Sequence, residues 1–142
     1  MANQPRKLRD FVEARADGCC EYCRRYQDMI GETFFEVEPI VPRARGGLTA
    51  PYNLAVACRR CNWLKGGATE ALDRRTGRRV ALFNPRRDHW SDHFRRSRDQ
   101  VRIYGRITIG RATVALLRFN SADEQRARHM QRDYLSDIFP LS

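Results

Sequence analysis

A chain of 142 residues and 16.6 kDa is the length of one domain, long enough to bury about 70% of the surface its unfolded form exposes. Hydrophobic residues make up 42%, which excludes global disorder, and no apolar run approaches the ~20 residues of a membrane-spanning helix, so no membrane partner is expected. Twenty-seven basic against 17 acidic residues give a net charge of +10, and every basic residue except Lys7 and Lys65 is an arginine, which points to a polyanion, nucleic acid foremost.

The first predicted element is a helix from Pro5 to Ala16, with Leu8, Phe11 and Val12 as its apolar stripe and Gly18 as its stop. Thr33 to Val37 reads as a strand by its β-branched and aromatic content, and Pro39 and Pro42 end it. Residues 43–51 read as a loop, Asn53 to Ala57 as a short apolar strand, and Asn62 to Leu72 as a helix. From Arg74 to Arg98 nine arginines face two aspartates, a net +7 in 25 residues. Within that stretch Thr76-Gly77 reads as a turn, Val80 to Phe83 as a strand and Trp90 to Arg96 as a short helix. Residues 101–109 alternate apolar and polar, which predicts a hairpin around Gly105. Ala112 to Phe119 reads as a helix with Val114, Leu117 and Leu116 as its inward candidates. Ser121-Ala-Asp-Glu124 has the form of a capping box opening a helix to about Ile138, its inward face carrying Met130, Tyr134 and Ile138. No repeat or linker divides the chain, so one domain is expected over 1–142, with a core at about residues 18–72 and a basic α+β extension at about 73–142.

The five cysteines carry the strongest chemical signal. The N-terminus has charge but no hydrophobic stretch behind it, so a cytoplasmic or nucleoid-associated location is expected, and disulfides are not. Cys20-Glu-Tyr-Cys23 and Cys58-Arg-Arg-Cys61 are two CxxC knuckles, whose four thiolates suit a closed tetrahedral structural Zn²⁺ site better than a redox pair. Cys19 could replace Cys20 as a CxxxC ligand, but Cys20 makes the two knuckles alike.

Between the knuckles the chain reads Glu36-Val-Glu38-Pro39-Ile-Val-Pro42-Arg43-Ala-Arg45-Gly46-Gly47, then Asn53-Leu54, then Cys58-Arg59-Arg60-Cys61-Asn62-Trp-Leu-Lys65-Gly66. Over about residues 18–67 this resembles the HNH endonuclease family. Its pattern runs acidic residue, His, Ile, any residue, Pro, then Gly-Gly, Asn-Leu and CxxC-Asn-xx-Lys-Gly, after an upstream CxxC. Leu82-Phe-Asn-Pro-Arg86, Trp90-Ser-Asp-His-Phe94 and Gly110-Arg-Ala-Thr-Val114 are similar to the C-terminal extension of one branch of that family. The resemblance implies an α+β fold with a small ββα-metal core stapled by the zinc site, an N-terminal helix and an α+β C-terminal extension.

It also implies metal-dependent hydrolysis of phosphodiester bonds in DNA. Glu38 and Asn62 would hold Mg²⁺ or Mn²⁺, and Asn53 would brace the metal-site loop. Arg43, Arg45, Arg59, Arg60 and Lys65 would position phosphates. Pro39 stands where the family has its general-base His. Proline has no proton-accepting side chain, and loss of a general base costs about 10²–10⁴ in rate, so impaired activity is expected. His89 and His93 are four residues apart and are candidates for a substitute base, though His93, beside Trp90 and Phe94, is expected to pack in an aromatic patch. Two other readings compete: a nuclease-derived domain that binds nucleic acid without cutting it, and a zinc-stapled module for an acidic protein partner. A monomer that nicks one strand and a dimer that cuts both fit the sequence equally.

Overall fold

The computed structural model describes residues 5–27 and 35–138, the side chains of 135–138 excepted. Thr33 and Phe34 of the predicted first strand, and the side chain of Ile138, lie outside that description. The elements in order are α1 (Arg6–Ala16), β1 (Glu36–Pro39), β2 (Leu54–Ala57), α2 (Arg59–Lys65), β3 (Glu70–Asp73), β4 (Arg78–Ala81), α3 (Trp90–His93), β5 (Phe94–Arg96), β6 (Ile103–Gly105), α4 (Thr108–Leu116) and α5 (Ala122–Ile138). The strands form three antiparallel pairs, β1 with β2, β3 with β4 and β5 with β6.

Helix α1 ends where predicted, at Asp17 (φ 55°) and Gly18 (φ 74°) in left-handed conformation. Its inward face is Leu8, Val12 and Ala16, a strict i, i+4 row. Phe11 falls off that row and is exposed, with the Arg15 guanidinium 5.3 Å above its ring.

In the β1–β2 pair Glu36 lies opposite Ala57, Val37 opposite Val56, Glu38 opposite Ala55 and Pro39 opposite Leu54. The Ile40 N–H donates to the Asn53 carbonyl at 2.8 Å, which makes that neighbouring pair a hydrogen-bonded one. Since hydrogen-bonded and non-bonded pairs alternate, Pro39 occupies a non-bonded position and its missing N–H removes nothing from the ladder.

Helix α2 is shorter than the predicted Asn62–Leu72 helix. It stops at Lys65, Gly66 takes φ 53°, and residues 70–73 instead form β3, whose exposure alternates. The predicted hairpin around Gly105 is also absent: β6 pairs back onto β5, with Phe94 opposite Gly105, and the chain then enters α4. The glycines explain the difference. A Cβ on Gly105 would come within 2.3 Å of the Arg111 nitrogen, and one on Gly110 within 1.9 Å of the His93 carbonyl oxygen. These glycines let α4 pack directly on the β5–β6 ribbon rather than turn a hairpin.

Helix α5 begins as the capping box predicts on one side only: Ser121 Oγ accepts from the Glu124 N–H at 3.3 Å. The Glu124 carboxylate faces inward instead, 2.9 Å from Arg25, 3.5 Å from Arg60 and 3.8 Å from Arg128. The buried face of α5 is therefore Glu124, Arg128 and Gln131, while Met130 and Tyr134 are exposed. The surface beneath it is polar, with Arg128 donating to the Val101 and Phe119 carbonyls.

One buried cluster runs from Val12 through Cys20, Tyr22, Val37 and Leu54 to Phe83, Phe94, Ile103, Leu117 and Phe119. Within it Phe83 packs edge-on against Tyr22 at 6.4 Å and against Phe94 at 5.2 Å, and Phe94 meets Phe119 at 5.4 Å. Those rings carry the first cysteine knuckle onto the C-terminal half. Glu124→Ala should leave the buried Arg128 and its neighbours without a counter-charge and lower the unfolding free energy by about 3 kcal/mol, read from urea denaturation.

Candidate metal centre and nuclease site

The sulfurs of Cys20, Cys23, Cys58 and Cys61 all lie within 4.8 Å of one another, and all four residues are buried. A tetrahedron of sulfurs about 2.3 Å from a central zinc has edges of about 3.8 Å; Cys23 Sγ and Cys58 Sγ are 3.8 Å apart. Four ionised thiols at such spacing repel each other unless a cation sits among them, so both the donor chemistry and the geometry fit a structural zinc ion. Cys19 is not in the cluster; it bridges to Tyr26 on a different backbone path. The knuckles are fixed by their neighbours. Glu21, buried between Cys20 and Cys23, accepts from the Val56 N–H at 2.8 Å and pairs with Arg86, and Tyr22 O accepts from Trp90 Nε1 at 2.8 Å. Cys58 also caps α2, its sulfur 3.4 Å from the Cys61 N–H.

The residue after Cys61 is Asn62, so the zinc ligand and the candidate catalytic amide sit on the same turn of α2. Glu36 and Glu38 lie two apart on β1 and share its outer face, while Val37 is buried beneath them. Asn62 Nδ2 donates to Glu36. Partial burial, the Glu36 charge beside it and, in the opposite sense, Asn62 together leave the Glu38 carboxyl above its ordinary range. Two half-buried carboxylates and an amide oxygen donor suit a hard divalent ion, which would relieve the repulsion between them. Glu36 did not stand out in the sequence; the period of two from Glu38 was the signal that could have found it.

Asn53 is buried and makes three hydrogen bonds to one loop: its Oδ1 accepts from the Val41 N–H at 2.9 Å, and its Nδ2 donates to the carbonyls of Val41 at 3.0 Å and Leu48 at 2.9 Å. Gly47 completes that brace, because a Cβ there would lie 1.7 Å from the Val41 oxygen. Gly46, at φ 89°, makes the turn itself.

The five basic candidates separate. Arg43 and Arg45 are exposed and donate to Thr49 and Thr69 hydroxyls at 3.0 Å. Arg59 is exposed, without an ion pair among the described residues. Arg60 is turned inward, donating to the Leu117 carbonyl at 3.2 Å and the Arg118 carbonyl at 2.6 Å. Lys65 is buried, its Nζ donating to the Ile40 carbonyl at 2.9 Å, which ties α2 to the end of β1 rather than presenting a charge at the surface. Burial lowers the Lys65 ammonium from its usual range, and the Glu38 charge acts the other way.

His93 packs as expected, its ring 5.8 Å from Phe83 and 6.5 Å from Phe94, with a buried Nδ1 that has no hydrogen-bond partner among the described residues. His89 is exposed.

Zinc content separates the cysteines. Cys19→Ser should keep one zinc per chain and wild-type thermal stability, whereas Cys61→Ser should lose the metal and the cooperative transition, both read by elemental analysis and calorimetry.

No curated protein matches the chain. The HNH endonuclease family profile matches residues 20–67, which begin at Cys20 and include Glu36, Glu38, Asn53 and Asn62. The paired strands, α2 and the four clustered thiols on the same stretch are consistent with the ββα-metal core of that family.

Proposed function

We propose that this chain is a metal-dependent nuclease that hydrolyses phosphodiester bonds in DNA, slowed by the loss of its general base at Pro39. The observation that carries this reading is the convergence of Glu36, Glu38 and Asn62 at the junction of β1 and α2, inside the segment that matches the HNH family. Glu38 and Asn62 would hold Mg²⁺ or Mn²⁺. When bound, that ion supplies charge stabilisation at the scissile phosphate and lowers the pKa of coordinated water. Asn53 keeps the 41–48 loop in place beside the site. Arg43, Arg45 and Arg59 supply exposed positive charge for the backbone, a contribution that is sequence-independent and weakens with salt.

Proline at 39 fits the strand but accepts no proton. The carboxylate of Glu36, held by the Asn62 amide, is a candidate for that role, and a carboxylate is a weaker base than imidazole at neutral pH. Pro39 also favours a second reading, in which the domain binds nucleic acid and no longer cuts it. In both readings the extension from residue 73 onward folds with the core as one unit, and the protein works in the cytoplasm or on the nucleoid.

Plasmid nicking with Mg²⁺ and with Mn²⁺ separates the two. The zinc-loaded chain should nick slowly, Asn62→Ala should be silent, and Pro39→His should be faster by about 10²-fold or more. Nicking by Pro39→His alone would select the binding-only reading for the natural chain. Silence from all three would overturn both readings.

A further inference from the structure

A cleft of about 480 Å³ opens beside the candidate metal site, lined by Glu36, Arg59, Arg60, Asn62 and Trp63. Trp63 is 82% exposed, the most exposed of the large hydrophobic residues described. It sits one residue from Asn62 on α2, and Arg59 lies four residues before it, so the indole and a guanidinium share one helix face. Arg60 on the same cleft is occupied by the carbonyls of Leu117 and Arg118, and Lys65 is buried, which leaves Arg59 as the exposed cation of this helix. The other tryptophan, Trp90, shows the contrast: its ring packs against Phe94 at 5.0 Å and its N–H is satisfied by Tyr22 O. The Trp63 indole therefore takes no part in the core, and it lines the same cleft as Glu36 and Asn62.

An exposed indole beside an arginine is the chemistry that grips an unstacked base: the ring stacks on any nucleobase and the guanidinium meets the adjoining phosphate. Inside a B-form duplex the bases are stacked on each other and offer no free face. We infer that Trp63 and Arg59 form a stacking platform for an unpaired nucleobase, so that the substrate is nucleic acid with a single-stranded segment at the site: a flap, a bubble, a bulge or a free strand. The inference rests on the nuclease reading above and adds the class of substrate. A base stacked on Trp63 leaves its own phosphodiester in the cleft shared with Asn62 and Glu36.

The test is binding to fluorescein-labelled oligonucleotides by the zinc-loaded full chain, in Ca²⁺ so that cutting does not intervene. A 16-nucleotide single strand, the fully paired duplex and a duplex with a three-base bubble serve as probes. The wild type should favour the single strand and the bubble over the duplex. Trp63→Ala should weaken both of those by about 10- to 100-fold and change duplex binding less than twofold, while Trp63→Phe should retain most of the preference. A 2-aminopurine placed in the bubble should be quenched on binding by the wild type and not by Trp63→Ala. Because the side chain is outside the core, unchanged melting and zinc content will show that the variant is folded. Duplex binding by the wild type with no effect of Trp63→Ala on any probe, or with an equal effect on all three, would overturn this inference and leave the nuclease reading standing. Binding of no probe at low salt would overturn both.

Discussion

Four buried thiol sulfurs within 4.8 Å of each other are the constraint on which the rest of the structure is built. The two knuckles come from segments separated by 34 residues, and the described residues between them hold two short strands and two single turns of 3-10 helix. A pair of four-residue strands is too small to hold itself in water. A metal ion among the four thiols would fix β2 and the start of α2 against the first knuckle, and so where Asn62 stands relative to β1. The metal-binding cysteine geometry and the candidate catalytic amide thus share one turn of helix, with Cys61 buried and Asn62 lining the cleft.

The candidate site shows how far backbone and chemistry can be decoupled. Pro39 meets every demand of the strand, since its position donates nothing to the ladder. It meets none of the demands of a base. Around it stand two carboxylates at a period of two, an amide between strand and helix, and a loop held by three hydrogen bonds from Asn53, a donor set that suits a cation. Under the proposed reading, a proline in place of a base costs the strand nothing.

The readable parts of the sequence were those whose meaning is local. Ligand spacing in two CxxC pairs, Gly46-Gly47 at a tight loop, and Asn62 after Cys61 depend on residues a few positions apart, and all of them lie where the chain order suggested. The misread segments depend on distant partners. Glu70-Ala-Leu-Asp73 has helix-forming composition and becomes a strand because β4 pairs with it. Gly105 looked like a turn and serves as a contact surface for α4. Met130 and Tyr134 looked like the inner face of α5, but that helix lands on backbone carbonyls and arginines, so its polar side turns inward. Lys65 could not be told from a phosphate contact until the Ile40 carbonyl appeared beside it.

The inward arginines change what the arginine-rich composition means. Arg60 reaches two successive carbonyls at the end of α4, Arg111 grips both oxygens of Asp73, and Arg128 joins the carbonyls of Val101 and Phe119 while facing Glu124. Each uses a planar fork that satisfies two acceptors from one rigid group, a task an ammonium on a flexible stem does poorly. These side chains act as cross-braces in a small protein with short strands. Part of the preference for arginine over lysine is therefore architectural rather than electrostatic. A charge-conserving exchange of arginine for lysine would be harmless on the outer face of the β3–β4 ribbon, yet would loosen the joints between the four-cysteine core and the helices that follow it.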